Sequence, residues 1–191
     1  MKINRRGQAS TFQGNDFQKL INATVGENHK LIFQIAYWTA ARIGEVRQLP
    51  VQAVYENEQC TPLDQITFWS ETTKNNENRQ VPASSTLKPL LERYCLINKP
   101  KQFFLFPGSD PEQAIQFQSV DDALRRAIIK SGLENKGYSC HSFRRSAITR
   151  MAAAGIGTPV IRIISGHKSL SSLQRYIEVS DQQLKGAIGT L

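Results

Sequence analysis

Apolar residues at Leu31, Ile32, Ile35, Ala36 and Trp38 recur at intervals of three and four, which predicts a helix from about Asn28 to Ala40. A shorter helix is predicted ahead of it, from about Asn15 to Thr24, and a short one after it, over Ile43 to Leu49. Between Val51 and Val81 the pattern becomes strand-like, in Gln52 to Glu56, Gln65 to Ser70 and Arg79 to Pro82. The tetrad Asn75-Asn76-Glu77-Asn78 is rich in turn formers and is expected to join the last two as a hairpin with Lys74 at its tip. Helical spacing then returns. Ser84 or Ser85 can cap a helix running to Ile97 whose Leu87, Leu90, Leu91, Tyr94 and Cys95 face one way. Phe103 to Pro107 is an apolar connector, and Val120, Ala123, Leu124, Ala127 and Ile128 mark a helix over Ser119 to Ser131. Further helices are expected over His141 to Ala154, Pro159 to Ser165 and Leu170 to Ile177. The fold class is therefore mainly α with a small antiparallel β-sheet (α+β). Residues 1–10 are a flexible basic lead-in, 11–180 one domain, and 181–191 a tail in which Leu184, Ala187, Ile188 and Leu191 form an apolar stripe.

A chain of 191 residues is long enough to bury about 70% of its unfolded surface. It has no run of eighteen apolar residues, and its first ten residues lack the apolar core of a secretory signal, so no membrane partner and a cytoplasmic location are expected. Cys60, Cys95 and Cys140 match neither a zinc motif nor a disulfide framework and are expected to be reduced, structural thiols.

Charge sharpens the picture once it is located. Of a net charge of +8, nearly all sits between Asn135 and Ile177, which holds Lys136, Arg144, Arg145, Arg150, Arg162, Lys168 and Arg175 and no acidic residue. A one-sign segment of that length is the footprint of a polyanion-binding surface, and nucleic acid fits it better than a membrane, since no basic amphipathic helix with a bulky apolar face accompanies it. No carboxylate cluster goes with the basic segment to hold magnesium, which argues against a metal nuclease.

The same segment carries reactive side chains. Cleaving a phosphodiester without a metal calls for cations aimed at the non-bridging oxygens, and an arginine fork does this well because it never deprotonates at cellular pH. Arg42 and Arg144 are the candidates. Glu45, one turn beyond Arg42, either holds its guanidinium or forms a simple helical ion pair. His141 and Arg144, three apart, project from one helical face and can reach one phosphate together. A phenol attacks poorly unless nearby cations or a base stabilise the phenolate, and Tyr176, nine positions after His167, has such neighbours in prospect. The leaving 5′-oxygen needs a proton, which Lys74 can supply.

Ala41-Arg42-Ile43-Gly44-Glu45, Thr73-Lys74, His141-Ser142-Phe143-Arg144 and Gly166-His167-Lys168-Ser169-Leu170 followed by Gln174-Arg175-Tyr176 together resemble the catalytic domain of the tyrosine recombinase (phage integrase) family. The resemblance covers about residues 11 to 180. It implies that Arg42 and Arg144 clamp the scissile phosphate, His141 assists as base or phosphate ligand, His167 donates to a non-bridging oxygen and Lys74 protonates the leaving group. Tyr176 then forms a 3′-phosphotyrosine and frees a 5′-hydroxyl, with no cofactor and no ATP. The resemblance also implies double-stranded DNA as the partner and a homo-tetramer assembled on it. The tail over 181–191 is either donated to a neighbouring protomer or packed on its own domain, and a DNA-bending accessory protein is a possible partner. Thr39-Ala40-Ala41-Arg42 stands in place of the family's usual threonine-glycine step before the first arginine, and Ser165 replaces the leucine that commonly precedes glycine-histidine. Two rivals stand beside this reading: a type IB topoisomerase-like activity, which uses the same residues but religates the same strand, and a DNA-binding regulator that keeps the fold without cleaving, against which the presence of all six reacting types argues.

Overall fold

The computed structural model describes residues 8–56, 59–69, 78–174, Tyr176 and Ile188. In chain order these hold α1 (Asp16–Ala23), α2 (Glu27–Thr39), α3 (Ile43–Val46), β1 (Gln65–Phe68), β2 (Arg79–Pro82), α4 (Leu87–Asn98), α5 (Phe117–Lys130), α6 (Cys140–Ala153), α7 (Thr158–Ser165) and α8 (Leu170–Gln174). The mainly helical class with a small sheet is as the periodicity predicts. The hairpin tip with Lys74, residues 1–7 and, apart from Ile188, the tail lie outside the described residues.

Helix α2 is the axis of the core. Leu31, Ile32, Phe33, Ile35 and Ala36 are all buried, and α2 packs against α6, α4 and α3. Phe33 stacks on Phe143 of α6 with ring centroids 4.9 Å apart, which locks α6 in rotation as well as position. Helix α6 is buried on most of its circumference, including Cys140, Ser142, Phe143, Arg144, Ser146, Ala147 and Ile148. A second cluster of Ala40, Ala147, Ile148, Ala152, Ile161 and Leu173 then ties α7 and α8 to α6, with Tyr176 packed against it.

The two strands pair antiparallel, with Ile66 opposite Val81 and Phe68 opposite Arg79. Pleating sends Ile66, Phe68, Val81 and Arg79 to the buried face, so the sheet presents an arginine to the interior. The stretch expected as a strand over Gln52 to Glu56 is instead a 3₁₀ turn, Val51–Ala53, followed by one bridge between Tyr55 and Pro62. Ala53, Val54 and Tyr55 are buried in succession, which a one-faced strand cannot achieve.

The thiol expectation also needs correction. Cys60 and Cys95 form a disulfide, with Cα atoms 5.5 Å apart, and Cys140 is a buried thiol outside any disulfide. Their 35-residue separation carries no pairing signal. Tertiary packing brings them together: the Tyr55 hydroxyl donates to the Leu91 carbonyl of α4 at 2.8 Å and draws the Cys60 loop onto that helix.

Candidate active site

The turn after α2 builds the first half of the site. Thr39 Oγ1 donates back to the Ile35 carbonyl at 2.6 Å, ending the helix, and Ala40 takes a left-handed conformation with φ 56°. Glycine adopts that conformation without strain, which explains the family's usual residue there; here the alanine methyl is buried in the second cluster. The turn aims the Ala40 carbonyl into the protein and sets Arg42 as the N-cap residue of α3.

Glu45 lies under this turn, almost wholly buried at 2% exposure, and accepts from two guanidinia. Its Oε1 takes Arg42 Nη1 at 2.7 Å, and its Oε2 takes Arg79 Nη2 at 2.8 Å and the Arg42 amide at 3.0 Å. Of the two roles open to Glu45, the structure has it hold Arg42 in place while also bracing a second arginine. Burial alone would push this carboxyl up, but Arg79 and Arg42 outweigh it and hold the group below the usual glutamate range. Its stabilising contribution is therefore fully present above about pH 4.5, the unfolded value, and is lost as pH falls through the lower folded value. Glu45→Ala would leave Arg79 buried without its charge partner and is expected to cost about 3–5 kcal/mol in a urea titration at pH 7. A loss below about 1 kcal/mol, the scale of an exposed pair, would show that the bracing is superficial.

Arg144 supplies the second half. Its side chain is buried at 4% exposure; Nη1 donates to the Ala40 carbonyl at 2.8 Å, and Nη2 lies 3.2 Å from both ring nitrogens of His167. Burial, and next the Arg42 guanidinium, push its pKa down to about 9, so it remains cationic at pH 7. His167 follows Gly166, whose φ of 65° ends α7 and turns the chain toward α6. Burial, then Arg144, Arg42 and Arg79, lower the imidazole to about 4, so it is neutral at pH 7. The Tyr176 ring is 5.5 Å from the His167 ring, and the Arg145 guanidinium sits 5.6 Å over it. Tyr176 is a turn residue beyond Gln174, its amide donating to the Leu173 carbonyl at 2.9 Å, and the predicted helix limit at Ile177 lies outside the described residues.

Arg42, Arg144, His167 and Tyr176 thus come together from four separate segments. His141 is exposed in the first turn of α6, one turn before Arg144. Lys74 lies outside the described residues. Arg79 is not among the residues expected at the site; its signal in the sequence is an arginine in register with Val81 on the inward face of a strand. It packs its guanidinium 4.6 Å over the Phe68 ring and closes on Gly166 so tightly that a Cβ there would collide with Nη1. Gly166→Ala is therefore expected to lose roughly 1–2 kcal/mol from left-handed backbone strain alone, and more from displacing Arg79, read as a lowered denaturation midpoint. An unchanged midpoint would contradict the close approach.

Two cavities of about 720 and 710 Å³ contain none of these residues. Arg150, Arg162 and Lys168 are exposed nearby in sequence and add to the positive field of the site. Among the described residues no three His, Cys, Asp or Glu side chains gather to hold a metal ion, and no helix is long and apolar enough to cross a membrane.

Residues 11–183 match the model of the phage integrase family. A tyrosine recombinase of Thermosipho africanus is 25% identical over 181 residues, covering 93% of this chain and 60% of the relative. Among solved structures, the catalytic domain of bacteriophage HP1 integrase superposes with a TM-score of 0.69 at 21% identity, covering 95% of each chain. XerH site-specific recombinase bound to its difH substrate superposes with a TM-score of 0.74 at 19% identity, over 97% of this chain and 55% of that one. The structural likenesses carry the fold, and the chain spans little more than half the length of the curated relatives it matches. The family match takes in every segment that contributes to the arginine–histidine–tyrosine cluster, and on that basis the chain belongs to the phage integrase family and has the fold of a tyrosine recombinase catalytic domain.

Proposed function

We propose that this chain supplies the DNA breaking and rejoining centre of a site-specific recombinase, working through a phosphotyrosine intermediate on Tyr176. The observation that carries the reading is the convergence of Arg42, Arg144 and His167 beside one tyrosine at the edge of a basic surface. Arg42 and Arg144 bind the non-bridging oxygens of the scissile phosphate, where negative charge grows in the pentacoordinate transition state. His141 approaches from the first turn of α6 as base or phosphate ligand, and His167 donates to a non-bridging oxygen. Tyr176 Oη attacks phosphorus and the bond to the 5′-oxygen breaks, with Lys74 giving that oxygen its proton. A 5′-hydroxyl from a second strand then reverses the step, so the energy of the broken linkage is conserved in the adduct and no ATP is consumed. Assembly of four protomers on two duplexes through residues 181–191, with or without a DNA-bending partner, would place the exchanging strands together.

The test is a nicked suicide DNA carrying a candidate site, incubated with the protein in EDTA and without ATP. A covalent protein–DNA band is expected. Retarded DNA with no covalent band, across several sites and with a longer chain, would favour the non-cleaving regulator instead.

A further inference from the structure

Ser165 replaces the leucine usual before glycine-histidine, and it is fully buried against the imidazole. Its Oγ lies 2.6 Å from the Ile161 carbonyl oxygen and 2.7 Å from His167 Nδ1. Two electronegative atoms that close repel each other unless a hydrogen lies between them, so each contact requires one. A serine hydroxyl has a single hydrogen and a carbonyl has none. The hydroxyl hydrogen therefore points at Ile161, and the hydrogen in the second contact belongs to His167 Nδ1. Arg144 Nη2 lies 3.2 Å from both ring nitrogens, in line with neither lone pair, so it does not by itself select a tautomer.

We propose that Ser165 is a positioning residue that holds His167 as the neutral Nδ1–H tautomer, so that Nε2 faces the phosphate site as an acceptor. The inference rests on the recombinase reading above and adds a requirement to it. A lone pair repels a phosphate oxygen, so His167 can donate to that oxygen only after Nε2 takes up a proton from solvent. The charged groups that govern this uptake are Arg42 and Glu45 at α3, Arg79 on β2 and Arg144 on α6, with Tyr176 alongside past α8. Burial and the three guanidinia oppose protonation in the DNA-free site, while Glu45 favours it. An arriving phosphate adds negative charge among them and tips the balance toward the imidazolium.

The chain has three histidines, so each imidazole can be assigned in long-range ¹H–¹⁵N correlation spectra. At pH 7 without DNA, wild-type His167 is expected to show a protonated Nδ1 and a bare Nε2. Ser165→Ala should move it toward the Nε2–H form, and Ser165→Thr, which keeps the hydroxyl over the Ile161 carbonyl, should restore the first pattern. An Nε2–H wild type, or a tautomer unchanged in Ser165→Ala, overturns the proposal. The rate of adduct formation gives a second readout. In the wild type it should fall about tenfold per pH unit above the imidazolium pKa of the DNA complex, whereas Ser165→Ala, free to donate from the neutral ring, should lose that limb. Equal slopes would also overturn it. The tautomer is read without DNA, so failure of every variant to form an adduct would remove the recombinase reading and leave the Ser165 assignment decided on the spectra.

Discussion

Tyr176→Phe is expected to abolish the covalent adduct, by at least about 10⁴-fold, while DNA binding and thermal stability stay near wild type. The substitution removes one oxygen and keeps the ring. That ring packs against the second core cluster, lies 5.5 Å from His167 and sits under Arg145, contacts that phenylalanine reproduces. The basic surface that would hold DNA is untouched, so a gel-shift assay should report similar affinity at fixed salt. An adduct that persists in the variant would mean another side chain attacks. Joint loss of adduct and binding would mean the hydroxyl is needed to organise the surface, and the nucleophile assignment would lose its support.

The second large effect is expected at Arg144. Arg144→Ala should slow adduct formation by about 10²–10³-fold, the scale of losing one preorganised donor to a developing oxyanion. Arg144→Lys should recover little, since an ammonium cannot hold the Ala40 carbonyl and reach a phosphate oxygen with a second, fixed donor. The neighbourhood explains why the arginine is poised. Arg42, Arg79 and Arg144 share one buried carboxylate, Glu45, and burial together with Arg42 already lowers Arg144 to about 9. The site thus carries unneutralised positive charge that a phosphate would relieve. Because Arg144→Ala also frees the Ala40 carbonyl, a denaturation midpoint must accompany the rate. A rate loss that disappears once the folded fraction is corrected for would assign Arg144 a structural role only.

Most helices were legible because their buried faces repeat at the helical period, as in α2, α4 and α5. The predicted strand over Gln52 to Glu56 failed for a related reason. Val51 and Tyr55 have strand-forming side chains, but Tyr55 is fixed by its own bond to α4 and its bridge to Pro62 while Ala53 and Val54 beside it are also buried, which no local pattern encodes. The disulfide between Cys60 and Cys95 is of the same kind, a product of where the Tyr55 loop lands on α4.

For the site, the sequence by itself determined which reactive groups are available and in what order along the chain: Arg42, Lys74, His141, Arg144, His167 and Tyr176. Chemistry supplied the residue types, since a phosphodiester asks for guanidinia, imidazoles and a nucleophile, and the resemblance of four segments to the family's singled out these positions. Only the tertiary structure decided how four of them are held. The left-handed turn at Ala40 aims a carbonyl at Arg144, a strand arginine braces Glu45 from the far side, and the hydroxyl of Ser165 engages His167 Nδ1. These are pairings between segments far apart in the chain, and each depends on the direction of a single hydrogen-bonding group. Spacing along a sequence specifies which face a side chain occupies, but the partner it meets there is set by the packing of α2, α6 and α7 around it.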